Sequence, residues 1–175
     1  CLYIEINKSK RTSSRGNGGM FPQETKAVLK TKDEEILDSI VDPAFFCRNI
    51  IGMEPFEYQK HFLWDDSKRI VFKAARQIGK STITAIKALH RAFIVPDEQV
   101  LVLAPTFRQS SLLFDKILEI VEANSFINKY VARFTRTMVK FENNSRIHCL
   151  PSGRTGFQIR GFSPTLIIVD EAAYV

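Results

Sequence analysis

A short segment near the middle of the chain has the residue types and the spacing that bind phosphate groups. Residues 74–81 read AARQIGKS, which follows the pattern GxxxxGK[ST] with Ala74 in place of the first glycine. Backbone N–H groups around Gly79 would surround a β-phosphate, Lys80 would add positive charge, and the Ser81 hydroxyl would supply an oxygen ligand for Mg²⁺. Taken alone, the match also admits a chance strand-to-helix turn. We predict that this loop binds ATP and Mg²⁺ through Arg76, Gln77, Ile78, Gly79, Lys80, Ser81 and Thr82.

Two carboxylates follow an apolar run close to the end of the sequence. Residues 166–169 read LIIV, and Asp170 and Glu171 come directly after them. Open α/β sheets bind ligands at the carboxyl ends of their strands, so we predict that Asp170 holds Mg²⁺ and that Glu171 orients and deprotonates the attacking water. An acidic pair on its own more often ends a strand and caps a helix. The phosphate-type loop about 90 residues upstream favours one shared site.

The segment FEYQ, residues 56–59, lies just upstream of the first predicted strand. Tyr58 is suited to stacking on adenine, and the Gln59 amide, which both donates and accepts, is suited to reading the base edge. We therefore add Tyr58 and Gln59 to the predicted ATP-binding residues. An ordinary helix whose Phe56 and Phe62 pack on the sheet explains the segment equally well.

The order of the elements that must position these residues is typical of an α/β protein. Predicted strands cover residues 69–73, 99–103 and 166–169, predicted helices begin at Ser81 and after Thr106, and a predicted hairpin joins residues 138–141 to 146–150. The part before residue 67 reads as mostly helical, with pieces at 33–41, at 44–51 and from 54 onwards. We predict an α/β P-loop NTPase fold of the RecA/ASCE-like type, with a mostly parallel sheet and a helical N-terminal segment. In this fold the loop and the acidic pair must lie at the same edge of one sheet.

Three regions are predicted along the chain. Residues 1–19 hold a stretch rich in Ser, Gly and Asn and are predicted to be disordered or a non-native extension, with a strand at 2–6 as the open alternative. Residues 20–66 form the helical lead-in with the adenine motif, and residues 67–175 form the P-loop ATPase core. Because the sequence begins at Cys1 and stops just after the acidic pair, we expect an incomplete fragment.

Composition narrows the class of protein further. The formal net charge of +6 and the pI near 9.3 favour a polyanionic partner, since a basic surface gains from releasing counterions around phosphates. The sequence has no apolar run of about 18 residues and no secretory h-region, so we expect an intracellular protein without a membrane span. Its three widely spaced cysteines fit reduced thiols better than a disulfide framework.

Together these residues resemble the ATPase domain of the large terminase subunit, the motor that packages DNA into the capsids of tailed phages and herpes-type viruses. The resemblance covers residues from about 50 to 175 and rests on RQIGKS at 76–81, YQ at 58–59, LAPT at 103–106 with QS at 109–110, IRG at 159–161 and LIIVDEAA at 166–173. It implies ATP hydrolysis coupled to the translocation of double-stranded DNA through a portal ring. It also implies that Arg76 senses the γ-phosphate or stabilises developing charge. Arg76, Lys80 and Glu171 are thus the predicted catalytic residues.

The resemblance also implies partners and a location. The partners are double-stranded DNA, a portal protein, a small terminase subunit and further copies of the chain in a ring. The location is the cytoplasm of an infected host cell, with transient docking on the procapsid. In the family, a coupling motif and an RNase H-like nuclease domain follow the acidic strand, and neither is in this sequence. We therefore expect this chain to bind nucleotide, to hydrolyse it poorly by itself and to leave DNA uncut.

Two other functions stay open. A superfamily 2 helicase or translocase has counterparts of Gln59, of the GK[ST] turn, of APT at 104–106 and of DEA at 170–172. RQ at 76–77 and Ala173 favour terminase instead. A degenerate P-loop module that only binds nucleic acid or a partner protein is hard to reconcile with the presence of every chemically required side chain.

Overall fold

A computed structural model describes residues 1–6, 41–75, 77–151 and 162–174. Almost all of the helix predicted at 33–41 lies outside these residues. The same holds for Arg76 and for the IRG motif at 159–161.

Strands and helices both occur along the described residues, and they alternate between β2 and α4. Seven strands, β1 to β7, lie at Leu2–Ile6, Arg69–Phe72, Gln99–Ala104, Val131–Thr135, Met138–Phe141, Arg146–Pro151 and Leu166–Val169. The α-helices, α1 to α5, lie at Pro43–Phe45, Glu57–Trp64, Lys80–Ile94, Phe107–Ala123 and Ser125–Asn128. A π-helical turn at Phe46–Ile50 continues α1, and a 3-10 turn at Ala172–Tyr174 follows β7. The α/β class and the hairpin of β5 and β6 are confirmed, whereas the RecA/ASCE-like P-loop NTPase fold stays a prediction.

All seven strands of the described residues form one mixed sheet in the order β2-β1-β7-β3-β6-β5-β4. The pairs β7–β3 and β3–β6 are parallel, and the other four pairs are antiparallel. The prediction of a mostly parallel sheet is therefore wrong. One reason is that β1 lies antiparallel between β2 and β7, and the other is that the tight turns joining β4, β5 and β6 permit only antiparallel neighbours.

Strand β1 is built from an alternating apolar pattern. The side chains of Leu2, Ile4 and Ile6 are at most 1% exposed, and the two side chains between them are half-buried on the opposite face. Full burial of one such aliphatic side chain stabilises the fold by about 1.5–3 kcal/mol, and β1 pairs with a strand on each side. Residues 2–6 therefore form the strand that was the open alternative for this region. Residues 7–19 lie outside the described part of the chain.

The main core lies between one face of the sheet and helices α3 and α4. The stripe predicted for α3 is at most 8% exposed and contains Ile83, Ile86, Leu89 and Phe93. The predicted cap of α4 is confirmed, because Oγ1 of Thr106 accepts the N–H of Gln109. A smaller apolar cluster on the opposite face contains Leu101, Leu103 and Val169. None of the described helices has the length and apolarity that crossing a membrane requires.

A buried lysine joins α3 to the end of α2. Lys87 is 5% exposed, and its Nζ donates to the carbonyl oxygens of Phe62, Leu63 and Asp65 at 2.8, 2.9 and 2.8 Å. The last turn of a helix leaves carbonyl groups without partners and favours a cation. Burial lowers the pKa of Lys87 to about 8, while the charges of Asp66 and Asp65 oppose that shift. The lysine therefore fixes the end of α2 against α3.

We expect Lys87→Met to lower the free energy of unfolding by about 1–3 kcal/mol. Methionine has a similar length, but it leaves three carbonyl oxygens without their donor. Urea denaturation followed by circular dichroism measures the change. Lys116→Met, at an exposed lysine of α4, is the control and should shift stability by less than about 0.5 kcal/mol. Equal stability of the two variants would contradict the capping role.

The same lysine gives a pH dependence with a defined sign. Folding lowers the pKa of Lys87 from 10.5 to about 8. The unfolded chain therefore binds more protons between these two values, and stability from this group should rise as the pH rises from about 8 to about 10. Lys87→Met lacks this gain in stability. The difference between its free energy of unfolding and that of the wild-type protein should therefore grow from about pH 8 to about pH 10. A deficit that shrinks with rising pH would contradict the assignment.

Candidate functional site

The strands that lead into the phosphate-type loop and into the acidic pair end at the same edge of the sheet. Both β2 and β7 run antiparallel to β1, one on each side of it, so they run in the same direction. Phe72 at the end of β2 lies opposite Leu2, and Val169 at the end of β7 lies opposite Tyr3. Two strand spacings, or about 10 Å, therefore separate the two strand ends. The prediction that both segments reach one edge of a single sheet is confirmed.

The loop between β2 and α3 needs glycine at its last position. Gly79 is the N-cap of α3 and has a φ of 79°, and Gln77 earlier in the loop has a φ of 63°. A Cβ atom on Gly79 would lie 3.0 Å from Nε2 of Gln59, which is closer than ordinary van der Waals contact. A side chain at this position would therefore meet both a left-handed backbone and a close neighbour.

The first turn of α3 carries the side chains assigned to nucleotide and metal. They are half-buried and belong to Lys80, Ser81 and Thr82. No side chain caps this helix start, and within the part of the chain that the structure describes Lys80 forms no ion pair. The positive end of the helix dipole and an ammonium group thus lie beside each other, which is an arrangement that favours a bound anion.

Tyr58 and Gln59 contact the loop itself. The Tyr58 hydroxyl donates to the Ile78 carbonyl at 2.6 Å, and Nε2 of Gln59 donates to the same oxygen at 3.5 Å. Gln59 is 3% exposed, and its Oε1 accepts the N–H of Phe56 at 2.9 Å. Both side chains therefore lie beside the predicted nucleotide loop, with the Gln59 amide bonded to protein at both of its ends. Contact with adenine stays a prediction.

Phe56 is an exposed aromatic residue next to this contact. It is 67% exposed, and its ring stacks on that of Tyr58 with centroids 5.9 Å apart and planes 9° apart. Phe62 is 5% exposed and stacks on Phe72 with centroids 4.6 Å apart. The packing interpretation of this segment is therefore right for Phe62 and wrong for Phe56. Phe56 was not predicted as a site residue, and its exposed ring lies against that of Tyr58.

The acidic pair forms a tight turn at the end of β7. The Asp170 N–H donates to the Leu103 carbonyl at 2.9 Å, and Oδ1 of Asp170 accepts the Glu171 N–H at 2.9 Å. Glu171 has a φ of 52°, a left-handed conformation that costs a non-glycine residue about 1–3 kcal/mol. The next N–H, that of Ala172, donates to the Cys1 carbonyl at 2.9 Å. Contacts from β3 and from the residue before β1 therefore hold this turn in its strained conformation.

The half-buried Glu171 carboxylate contacts a second polar side chain. Nε2 of Gln109 donates to its Oε2 at 2.5 Å. Gln109 lies in the first turn of α4, which follows β3, and β3 is the parallel neighbour of β7. Gln109 belongs to the QS motif at 109–110 that contributes to the family resemblance, but it is not among the predicted site residues. The available signal was that residues following two adjacent parallel strands meet at one sheet edge.

One edge of the sheet therefore carries a glycine turn, an ammonium, two hydroxyls and two carboxylates. Hydroxyl and carboxylate oxygens are ligands that Mg²⁺ prefers, and the helix start with its ammonium suits phosphate groups. The donor set thus fits a magnesium–nucleotide complex in chemical type. Binding itself and the roles of the individual residues stay predictions.

Comparisons with known proteins agree with the resemblance seen in the sequence. The family model for the N-terminal part of terminase large subunits of the T4likevirus type matches residues 71–175, which is more than half of the chain. Terminase large subunits from Thermus phage G20c and from Thermus virus P23-45 are each 32% identical to this chain over 73 residues. These residues are 42% of this chain and 15% of each relative, so the chain spans only a small part of the length of the relatives it matches. The chain belongs to the T4likevirus-type family of terminase large subunits, and its residues 71–175 correspond to the N-terminal part of those proteins.

Proposed function

We propose that this chain is the ATP-hydrolysing part of a phage DNA-packaging motor, which couples ATP hydrolysis to the translocation of double-stranded DNA into a capsid. The observation that carries the proposal is that the glycine turn before Lys80 and the turn at Asp170 and Glu171 lie at one edge of one sheet, about two strand spacings apart. Family membership supports the packaging role.

Nucleotide binding in this proposal uses the loop and the start of α3. Backbone N–H groups from Gln77 to Thr82 surround the phosphates, and Lys80 adds a positive charge next to them. The Ser81 hydroxyl and the Asp170 carboxylate would hold Mg²⁺. When bound, Mg²⁺ neutralises charge that develops on the phosphates. Tyr58 and Gln59, which contact Ile78 of the loop, bind adenine.

Hydrolysis in this proposal depends on Glu171, Lys80 and Arg76. Glu171 orients the attacking water and accepts its proton. Lys80 stabilises the charge that builds up on the phosphate oxygens, and Arg76 senses the γ-phosphate or adds to that stabilisation. The strained backbone of Glu171 supports a functional role, because such strain is concentrated at working sites.

Partners of the whole protein belong to the same proposal. They are double-stranded DNA, a portal protein, a small terminase subunit and further copies of the chain in a ring. The basic net charge of +6 supports a nucleic-acid partner. Family membership favours this function over a superfamily 2 helicase.

We expect Lys80→Ala to lower ATP turnover of the full-length protein by at least about 10²-fold, because the charge on the phosphates loses its nearest cation. Release of inorganic phosphate measures turnover. Lys68→Ala, at an exposed lysine before β2, is the matched control and should leave turnover unchanged. Retained turnover in Lys80→Ala would remove the site assignment.

We expect Glu171→Gln to keep ATP bound while hydrolysis slows by about 10²–10⁴-fold, because glutamine has the same shape but cannot accept the proton of water. Filter retention of radiolabelled ATP and single-turnover hydrolysis separate binding from chemistry. Glu122→Gln, at an exposed glutamate of α4, is the control. Unchanged hydrolysis in Glu171→Gln would assign the base elsewhere.

We expect Tyr58→Ala to weaken ATP binding by about 5- to 100-fold and tripolyphosphate binding far less, because the loss of base stacking affects only the ligand that has a base. Gln59→Ala should show the same preference, and competition against a fluorescent nucleotide measures both affinities. Tyr58→Phe keeps the ring and loses the hydrogen bond to Ile78, so it separates stacking from loop support. Equal losses for ATP and tripolyphosphate would favour a purely structural role.

A further inference from the structure

We propose that Gln109 is a positioning residue for Glu171, and that Thr106 fixes the orientation in which Gln109 does this. The inference rests on the proposed function, because it assigns Glu171 the proton-accepting role given above. It adds two side chains of α4 that lie outside both the phosphate loop and the acidic pair.

The hydrogen bonds of Gln109 determine which end of its amide faces Glu171. Its Oε1 accepts the N–H of Thr106 at 3.2 Å and the Thr106 hydroxyl at 2.8 Å. The NH₂ end is therefore directed to the Glu171 carboxylate, with Nε2 and Oε2 2.5 Å apart. A carboxylate only accepts, so an amide with its oxygen already engaged is a matched donor. Thr106 thus makes the arrangement specific.

Both partners are anchored to the same pair of strands. Thr106 follows β3 and caps α4, while the Asp170 N–H donates to the carbonyl of Leu103 in β3 at 2.9 Å. Since β3 and β7 are parallel neighbours in register, the distance between the α4 start and Glu171 is set by the sheet. A side chain held from a rigid element positions a reacting group better than one held from a free loop.

The contact leaves one oxygen of Glu171 available for chemistry. Among the described residues, only Gln109 donates a hydrogen bond to the Glu171 carboxylate, and Oε2 is the oxygen that accepts it. Gln109 thus restrains the carboxylate through one oxygen and leaves Oε1 to accept a proton from water. Capping of α4 does not require this contact, because the cap is complete with the bonds between Thr106 and Gln109.

The discriminating variant is Gln109→Glu in the full-length protein. Glutamate at this position keeps the capping box of α4, but its carboxylate cannot donate to Glu171 and repels it as a like charge. We expect kcat for ATP hydrolysis to fall about tenfold or more while the dissociation constant for ATP stays within about twofold. The thermal unfolding temperature should fall less than in Gln109→Ala, because the cap of α4 is kept. Gln109→Ala removes both the hydrogen bond to Glu171 and the capping bond to Thr106. Its kcat and its stability should therefore both fall.

A double-mutant cycle shows whether Gln109 acts through Glu171. If it does, Gln109→Glu combined with Glu171→Gln should be no slower than Glu171→Gln alone. Thr106→Ser, which keeps the hydroxyl, should retain kcat, and Thr106→Val should lower it. Ser111→Ala, at a half-buried serine of the same helix whose hydroxyl donates to the Arg108 carbonyl, should match the wild-type protein.

The outcomes separate the two proposals. Unchanged turnover in Glu171→Gln would overturn both the proton-accepting role and the positioning role. Slow turnover in Glu171→Gln together with normal turnover in Gln109→Glu would overturn the positioning role alone. The positioning role would also be overturned if the fold loss in turnover of the double variant equalled the product of the two single losses. Gln109 would then act independently of Glu171.

Discussion

Strand β1 sets the geometry on which the candidate site depends. It pairs antiparallel with β2 on one side and with β7 on the other, so the two outer strands run in the same direction and end at one edge. The backbone hydrogen bonds of a sheet fix strand spacing at about 4.8 Å, and the separation between the glycine turn and the acidic turn follows from that spacing. The carbonyl of Cys1, the residue before β1, also accepts the N–H of Ala172, directly after the acidic pair. The burial of Leu2, Ile4 and Ile6 stabilises this arrangement.

Two helices contact the turns at this edge of the sheet. One contacts the glycine turn, and the other contacts the acidic turn. Helix α2 contacts the glycine turn through Tyr58 and Gln59 and is itself fixed to α3 by the buried ammonium of Lys87. The start of α4 contacts the acidic turn through Gln109. Neither turn is therefore a free loop. The left-handed backbone at Glu171 persists because hydrogen bonds on several sides hold it, and residues kept in such conformations are concentrated at functional sites.

Local sequence patterns predicted the helices and strands well. Which strands pair across the sheet was harder to predict, because that depends on segments far apart in sequence. The apolar runs of β3 and β7, the stripe of α3 and the Thr106 cap depend on residues close in sequence, and each is present. The insertion of β1 between β2 and β7 depends on residues about 65 and 165 positions away, which no short pattern contains. The mixed sheet and the contact between Gln109 and Glu171 were missed for the same reason. The glycine turn and the acidic pair were predicted as one site because the chemistry restricts the residue types at those positions, and their place at one edge of the sheet agrees with that prediction.

The central claim is that the glycine turn and the acidic turn bind one magnesium–nucleotide complex between them. A crystal structure of the full-length protein with Mg²⁺ and a non-hydrolysable ATP analogue tests this most directly. The claim predicts phosphates against the backbone of residues 77–82, with one ion that contacts the Ser81 hydroxyl and reaches Asp170 directly or through a single water. A nucleotide bound away from this edge, or an ion beyond the reach of Asp170, would contradict it.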